Sequence, residues 1–265
     1  MEEEAAFKML SWCGKRGDMN RREWLIGTGM TAMASAAGNA SVDAAASPRK
    51  LRIVVTGGHP GDPEYGCGGT VARLAAAGHN VTLLYLNDGA WETSAEVRMA
   101  EAKKACEILK ARPAWAGQKN GHAIVDDARY ESFYQILSAE SPDAVFNQWF
   151  IDNHPDHRAI ANLTFEAWNR MKRRFALYYY EVSDGEDTMQ FNAPTHYVDI
   201  TGVLDTKKAA CYAHASQKPD FFYALQDTVA EFRGLSVGYR RAEAFIMQIG
   251  NPSDVLAATG LLSGR

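Results

Sequence analysis

The stretch LRIVVTGGHPGDPEYGCGGT, Leu51 to Thr70, decides the fold. Leu51 to Thr56 has the short apolar character of a buried strand, a glycine-rich turn follows, and Thr70 to Ala77 reads as a helix that Gly78 stops. Strand, turn and helix in that order make a βα unit, and the pattern repeats downstream. Val81–Leu86 reads as a strand, Ser94–Lys110 as a helix capped by Thr93 or Ser94, and Pro113–Ala116 as a weak strand. Ala128–Ala139 is helical, Asp143–Phe150 a fourth strand, and His157–Arg173 a helix with Pro155 at its opening, where a missing N–H is harmless. Phe175–Val182 and Tyr197–Ile200 read as strands, Asp205–Ser216 as a helix and Ala242–Gln248 as a last strand. Alternating strands and helices predict an α/β domain with a doubly wound, mostly parallel sheet and helices on both faces. No internal repeat or second domain interrupts residues 51–265.

In such a sheet the first strand commonly lies beside the fourth, and ligands bind outside the carboxyl ends of the strands where the winding reverses. The loop after the first strand holds His59 and Asp62. The loop after the fourth holds Asp152, His154, Asp156 and His157. Two metal-competent clusters about 95 residues apart are thereby expected to meet in one crevice. His59 and Asp62 stand three positions apart on a turn; His154 and His157 share one side of an opening helical turn. One imidazole from the second loop, added to His59 and Asp62, gives two histidines and a carboxylate with an open coordination position. Catalytic Zn²⁺ sites are built this way, and the same donors suit Fe(II). Any one of these residues alone is more readily a turn former or a surface histidine. Their convergence carries the reading.

Other motifs are missing. The glycine-rich turn contains no G-x-G-x-x-G, and the chain has neither a G-x-x-x-x-G-K-[ST] phosphate loop nor a G-x-S-x-G nucleophile elbow. At 265 residues, 46% hydrophobic and 23% charged, the chain is of ordinary globular composition. A net charge of -4 and a pI near 6.0 give no basic footprint for nucleic acid or anionic lipid, so a small neutral or polar ligand is expected. Cys13, Cys67, Cys106 and Cys211 form no C-x-x-C pair and are too sparse for a disulfide scaffold.

Residues 1–50 are rich in Ala, Gly and Ser and read as an address. Asn20-Arg21-Arg22-Glu23-Trp24-Leu25-Ile26 puts twin arginines before a bulky apolar pair, a mild apolar run follows from Gly27 to Ala37, and Ala44-Ala45-Ala46 offers a cleavage zone. This resembles a twin-arginine export signal and implies the twin-arginine translocation machinery as a transient partner and a periplasmic or extracellular destination. Met19 is an alternative start. The apolar run is shorter than the roughly 20 residues a membrane-spanning helix needs.

Two longer signatures connect these residues to a known family. Gly58-His59-Pro60-Gly61-Asp62-Pro63-Glu64-Tyr65-Gly66-Cys67-Gly68-Gly69-Thr70 is similar to an A-H-P-D-D-E stretch followed by G-C-G-G-T, and His154 to His157 is an H-P-D-H. Weaker echoes are Arg98 with Glu101, and Lys207, Ala210, His214, Ser216 and Gln217. Together they resemble the PIG-L or LmbE-like N-acetylglucosaminyl deacetylases. The resemblance implies a Rossmann-like fold, Zn²⁺ on His59, Asp62 and His157, and removal of an N-acetyl group from an amino sugar or related amine. It implies His154 as the group that protonates the leaving amine or stabilises the oxyanion, Asp156 as its orienting partner, and Arg98 and His214 as substrate-binding residues. One departure matters: the family's general base, the first Asp of the D-D pair, is Gly61 here. Asp152 and then Glu64 are the candidate replacements. A metal-retaining but catalytically weak carbohydrate-binding protein of the cell envelope is the alternative that Gly61 leaves open.

Overall fold

Seven strands form the sheet: β1 (Arg52–Gly57), β2 (Asn80–Asn87), β3 (Arg112–Gln118), β4 (Ala144–Gln148), β5 (Ala176–Tyr180), β6 (His196–Asp199) and β7 (Ala242–Met247). Their spatial order is β3-β2-β1-β4-β5-β7-β6. The first five run parallel; β7 lies antiparallel to β5, and β6 antiparallel to β7. This computed structural model describes residues 49–182 and 193–262. The export signal falls on residues outside them.

The central strands are buried on both faces, which is why they read as unbroken apolar runs. Alternate side chains separate into two cores. Ile53, Val55, Leu83, Tyr85, Phe146, Tyr178 and Tyr180 face one layer. This layer is built by α1 (Asp62–Ala76), α2 (Ala95–Leu109), α5 (Leu204–Tyr212) and α6 (Pro219–Leu235). Val54, Leu84, Leu86, Val145, Leu177 and Tyr179 face the other. There α3 (Asp127–Glu140) and α4 (Pro155–Arg170) supply Phe133, Leu137, Ile160, Leu163 and Trp168. The run Tyr178-Tyr179-Tyr180 is thus core, at most 1% exposed. A short helix, α7 (Val255–Ala258), follows β7. No helix among the described residues is long and apolar enough to cross a membrane.

Reversal of winding places β1 beside β4, as the strand pattern predicts. Side chains stitch their carboxyl ends together. Thr56 Oγ1 donates to Asn147 Oδ1 (2.8 Å), and Asn147 Nδ2 donates to the Ala161 carbonyl of α4 (3.1 Å). The Gly58 N–H reaches Gln148 Oε1 at 2.7 Å.

Three helices depart from the sequence expectation, the short α7 among them. α1 begins at Asp62, eight residues before Thr70, and is broken at Cys67, whose φ of −143° and ψ of 23° are not helical. Its second half starts where the pattern predicts, and there the carboxylate of Glu243 on β7 accepts the Gly69 and Thr70 N–H groups at 2.9 and 2.7 Å. That carboxylate fills the role of an N-cap. Lys207 Nζ neutralises it from 2.6 Å. α6, 17 residues long, has no counterpart in the sequence reading. Its buried face includes Gln226 and Arg233, so the apolar stripe is interrupted; Arg233 is held there by a two-pronged ion pair with Glu181 at 2.7 and 2.9 Å.

Candidate metal centre

β1 ends in a turn that brings His59 and Asp62 onto one point. The His59 N–H donates to Asp62 Oδ2 at 2.7 Å, and the Asp62 N–H returns to the His59 carbonyl at 3.2 Å. Gly61 completes the turn at φ 112°, a conformation that side-chain-bearing residues avoid. Gly58 is equally constrained: a Cβ there would stand 2.9 Å from the His157 ring. After β4, His154 caps α4, its Nδ1 accepting the Asp156 N–H at 3.2 Å, and Pro155 takes the first helical position. His157 then points back to the β1 loop.

Three donor atoms meet. His59 Nδ1 lies 3.2 Å from Asp62 Oδ2 and 3.2 Å from His157 Nε2, and Asp62 Oδ2 lies 3.1 Å from His157 Nε2. A tetrahedral ion with bonds of about 2.0–2.1 Å requires donors about 3.3 Å apart, so this triangle is already close to one face of a zinc tetrahedron. Behind each imidazole stands a carboxylate: Asp156 Oδ2 is 3.2 Å from His59 Nε2, and Asp152 Oδ1 is 3.0 Å from His157 Nδ1. Carboxylates on the outer nitrogens of ligating histidines fix the ring orientation and raise ligand basicity. The donor set therefore fits zinc, and Fe(II) as well. His154 stands at the edge, its ring centroid 4.5 Å from that of His59 and 4.8 Å from that of His157. The three histidines alone are a looser cluster, with ligand atoms within 4.8 Å of one another.

Proton affinities follow from this crowding. Burial raises the Asp62 carboxyl, but the His157 and His59 rings outweigh it and hold the group well below the usual carboxylate range. Burial lowers His157; Asp62 and Asp152 overcome this and push it up to about 10. His59 is raised likewise against burial, by Asp62 and Asp156. His154 is lowered, first by burial and then by the other two rings. With Nδ1 accepting from the Asp156 backbone, a neutral His154 carries its proton on Nε2.

Two roles expected from the sequence change with this placement. The Asp156 carboxylate does not turn to His154; it accepts from Asn87 Nδ2 (3.0 Å) and the Gly121 N–H (2.8 Å) while facing His59. Its backbone N–H, not its side chain, orients His154. Asp152 sits behind His157 and accepts the His154 N–H at 2.8 Å. Glu64 is fully buried; Oε1 accepts from the Tyr85 hydroxyl (2.7 Å) and meets His214 Nε2 (3.0 Å), and Oε2 accepts the Gly61 N–H (3.2 Å). Neither Asp152 nor Glu64 borders the cavity.

That cavity, about 500 Å³, opens on His59, Asp62, His154 and His157 and is walled by Tyr65, Trp91, Arg98, Asn120, His214 and Phe222, among others. Arg98 braces the ligand loop, donating to the Pro60 carbonyl at 2.6 Å and the Gly89 carbonyl at 3.3 Å. Its partner Glu101 (3.4 Å) accepts the Ser216 N–H and hydroxyl at 2.7 and 2.8 Å, so the two weaker sequence echoes meet in space. Asn87, Trp91 and Asn120 are site residues the sequence reading passed over. Asn87-Asp88-Gly89, polar residues closing an apolar strand beside the crevice, was the available signal.

The family model named PIG-L, GlcNAc-PI de-N-acetylase, matches residues 54–168, which include every residue of the donor triangle. Diacetylchitobiose deacetylase of Thermococcus kodakarensis is 31% identical over 222 residues, covering 70% of this chain and 78% of that protein. The solved structure of the conserved protein TT1542 of Thermus thermophilus superposes with a TM-score of 0.68 at 26% identity, over 77% of this chain and 98% of that one. N,N′-diacetylchitobiose deacetylase of Pyrococcus horikoshii shares the fold, with a TM-score of 0.64 at 23% identity over 77% and 88% of the two chains. A relative 31% identical across most of its length, and a family match spanning both loops of the donor triangle, make this chain a member of the PIG-L family of deacetylases.

Proposed function

We propose that the protein is a zinc-dependent N-deacetylase that cleaves the acetamide of an amino sugar or a related small amine. The observation that carries this is the triangle of His59 Nδ1, Asp62 Oδ2 and His157 Nε2, 3.1–3.2 Å on each side, on the wall of a 500 Å³ cavity. A divalent ion held there supplies Lewis acidity to an amide carbonyl and acidifies water. The chain's own residues do the rest. Asp156 and Asp152 hold the two imidazoles in the ligating tautomer. His154, neutral and protonated on Nε2, donates a hydrogen bond to the oxygen that gains charge as water adds to the carbonyl carbon. When the C–N bond breaks, the proton given up by the added water ends on the leaving amine, and the acyl group departs with the water oxygen as acetate.

Gly61 sets the rate. No carboxylate from Asp152 or Glu64 stands on the cavity wall to take the proton of the attacking water, and loss of a positioned base is worth about 10²–10⁴ in rate. We therefore assign slow turnover. The names of the family model and of the curated relative support an N-acetylated glucosamine unit as substrate. Purified protein loaded with zinc, and separately with Fe(II), is incubated with N-acetylglucosamine and related acetylated amines, and free amine is measured. Release above a metal-stripped control supports the reading; no release across the panel refutes it. Binding of intact sugar by calorimetry without turnover supports instead the catalytically weak carbohydrate-binding protein that Gly61 leaves open.

We also infer export by the twin-arginine route, from Asn20 to Ile26 and the alanine cluster after it. Replacing Arg21 and Arg22 with lysine should trap the protein in the cytoplasm; undiminished appearance outside refutes it.

A further inference from the structure

Trp91 is 80% exposed, an arrangement that leaves a large apolar residue in water beside the catalytic cavity. The loop carrying it is nonetheless fixed. Gly89 N–H donates to Asn87 Oδ1 (2.8 Å), Ala90 N–H to Asp88 Oδ1 (2.9 Å), and Asn120 Nδ2 to the Ala90 carbonyl (3.0 Å). The Trp91 N–H reaches the Thr93 carbonyl at 3.2 Å. The indole also stands over Gly121: a Cβ on that glycine would touch its ring at 3.8 Å. Gly121 is the residue whose N–H donates to the Asp156 carboxylate behind His59, so the indole lies beside the backbone that supports the donor triangle. Elsewhere on the cavity wall, Phe222 and Tyr65 form an edge-to-face pair with centroids 6.2 Å apart.

An acetamide alone cannot use 500 Å³; the remainder is a place for what the amide is attached to. An exposed aromatic face carried on a hydrogen-bonded loop is suited to a flat partner whose edge or face carries polarised C–H groups, because the ring's negative face attracts them. A pyranose ring presents such a face, with hydroxyls around its rim for Asn120 and Gln217 on the same wall. We propose that Trp91 is a specificity-determining residue that stacks on the pyranose of the substrate while the acetamide lies at His59, Asp62 and His157. The proposal rests on the deacetylase reading for its substrate and deepens it.

Two measurements test it. Acrylamide quenching of tryptophan fluorescence, read as the difference between wild type and W91F with zinc-free protein, reports Trp91 directly. N-acetylglucosamine should protect the Trp91 component, whereas N-ethylacetamide, which has the amide and no ring, should not. In turnover, W91A should raise KM for N-acetylglucosamine about tenfold or more with kcat within threefold, and W91Y should restore most of the loss. Protection by the sugar without any turnover keeps the stacking role and removes hydrolysis. Turnover with unchanged KM in W91A, or equal protection by the ringless amide, overturns the stacking role and leaves hydrolysis standing.

Discussion

Asp152→Asn separates two jobs that the same carboxylate could hold. The Asp152 Oδ1 atom accepts from His157 Nδ1 at 3.0 Å and from the His154 N–H at 2.8 Å. Asparagine keeps an acceptor in the same place and removes the charge. A hydrogen bond to a charged group contributes about 1.5–3 kcal/mol and a neutral one about 0.5–1.5 kcal/mol, so the loss is about 1 kcal/mol or somewhat more at each contact. Changes to a carboxylate behind a ligating histidine typically weaken metal binding about 10–100-fold, or about 1.4–2.8 kcal/mol, which agrees with that sum. The assay titrates zinc against a chromophoric chelator and then measures kcat with zinc saturating. The expected outcome is a zinc Kd raised about 10–100-fold and a kcat within about threefold of wild type at full occupancy. A kcat reduced by about 10²–10⁴ with unchanged zinc affinity would mean that Asp152 takes the proton of the attacking water, and would refute the positioning role.

Further outcomes follow from other parts of the molecule. G61D restores a carboxylate at the ligand turn: an added Cβ meets nothing closer than 3.5 Å, while φ of 112° costs about 1–3 kcal/mol, so kcat should rise at least about tenfold as Tm falls. A folded, zinc-loaded G61D no faster than wild type would reject the missing-base account. In zinc-free protein, His157 is raised when folded to about 10, so its stabilising contribution is complete below about pH 6.5 and is lost as pH rises through 10. Tm of the stripped protein should fall across that window, and zinc uptake at about pH 8 should release a proton from His157, read by calorimetry in buffers of different ionisation enthalpy; uptake without proton release contradicts the raised affinity. Lys207→Met strands the buried Glu243 carboxylate with two backbone donors and should cost about 3–5 kcal/mol in urea unfolding, and a loss below about 1 kcal/mol would show the pair to be dispensable.

The fold and the meeting of the two loops were legible because they rest on strand order and on the position of β1 beside β4. The convergence of His59, Asp62 and His157 was legible for the same reason, with the resemblance selecting these three from the polar residues of the two loops. What spacing could not say is which nitrogen of an imidazole a carboxylate meets. Asp152, Asp156 and Glu64 all stand near the ligands in sequence, yet the side chains of Asp152 and Asp156 stand behind the rings and Glu64 lies among Tyr85, Gly61 and His214. α6 escaped notice because Arg233 and Gln226 occupy its buried face, and Glu181, the partner of Arg233, lies 52 residues away in the chain. The start of α1 was hidden by Gly66, Gly68 and Gly69, which suppress a helical pattern across the kink. The antiparallel direction of β7 has no local signature at all.

The Glu243 carboxylate at the broken middle of α1 has a consequence for how the protein matures. A ribosome delivers His59, Asp62 and His157 well before it delivers β7, so during synthesis the donor triangle emerges while the second half of α1 still lacks the group that holds its N–H ends. The second half of α1 therefore gains its N-terminal acceptor only once the last strand has docked, and its completion depends on a carboxylate 173 to 174 residues further along the chain.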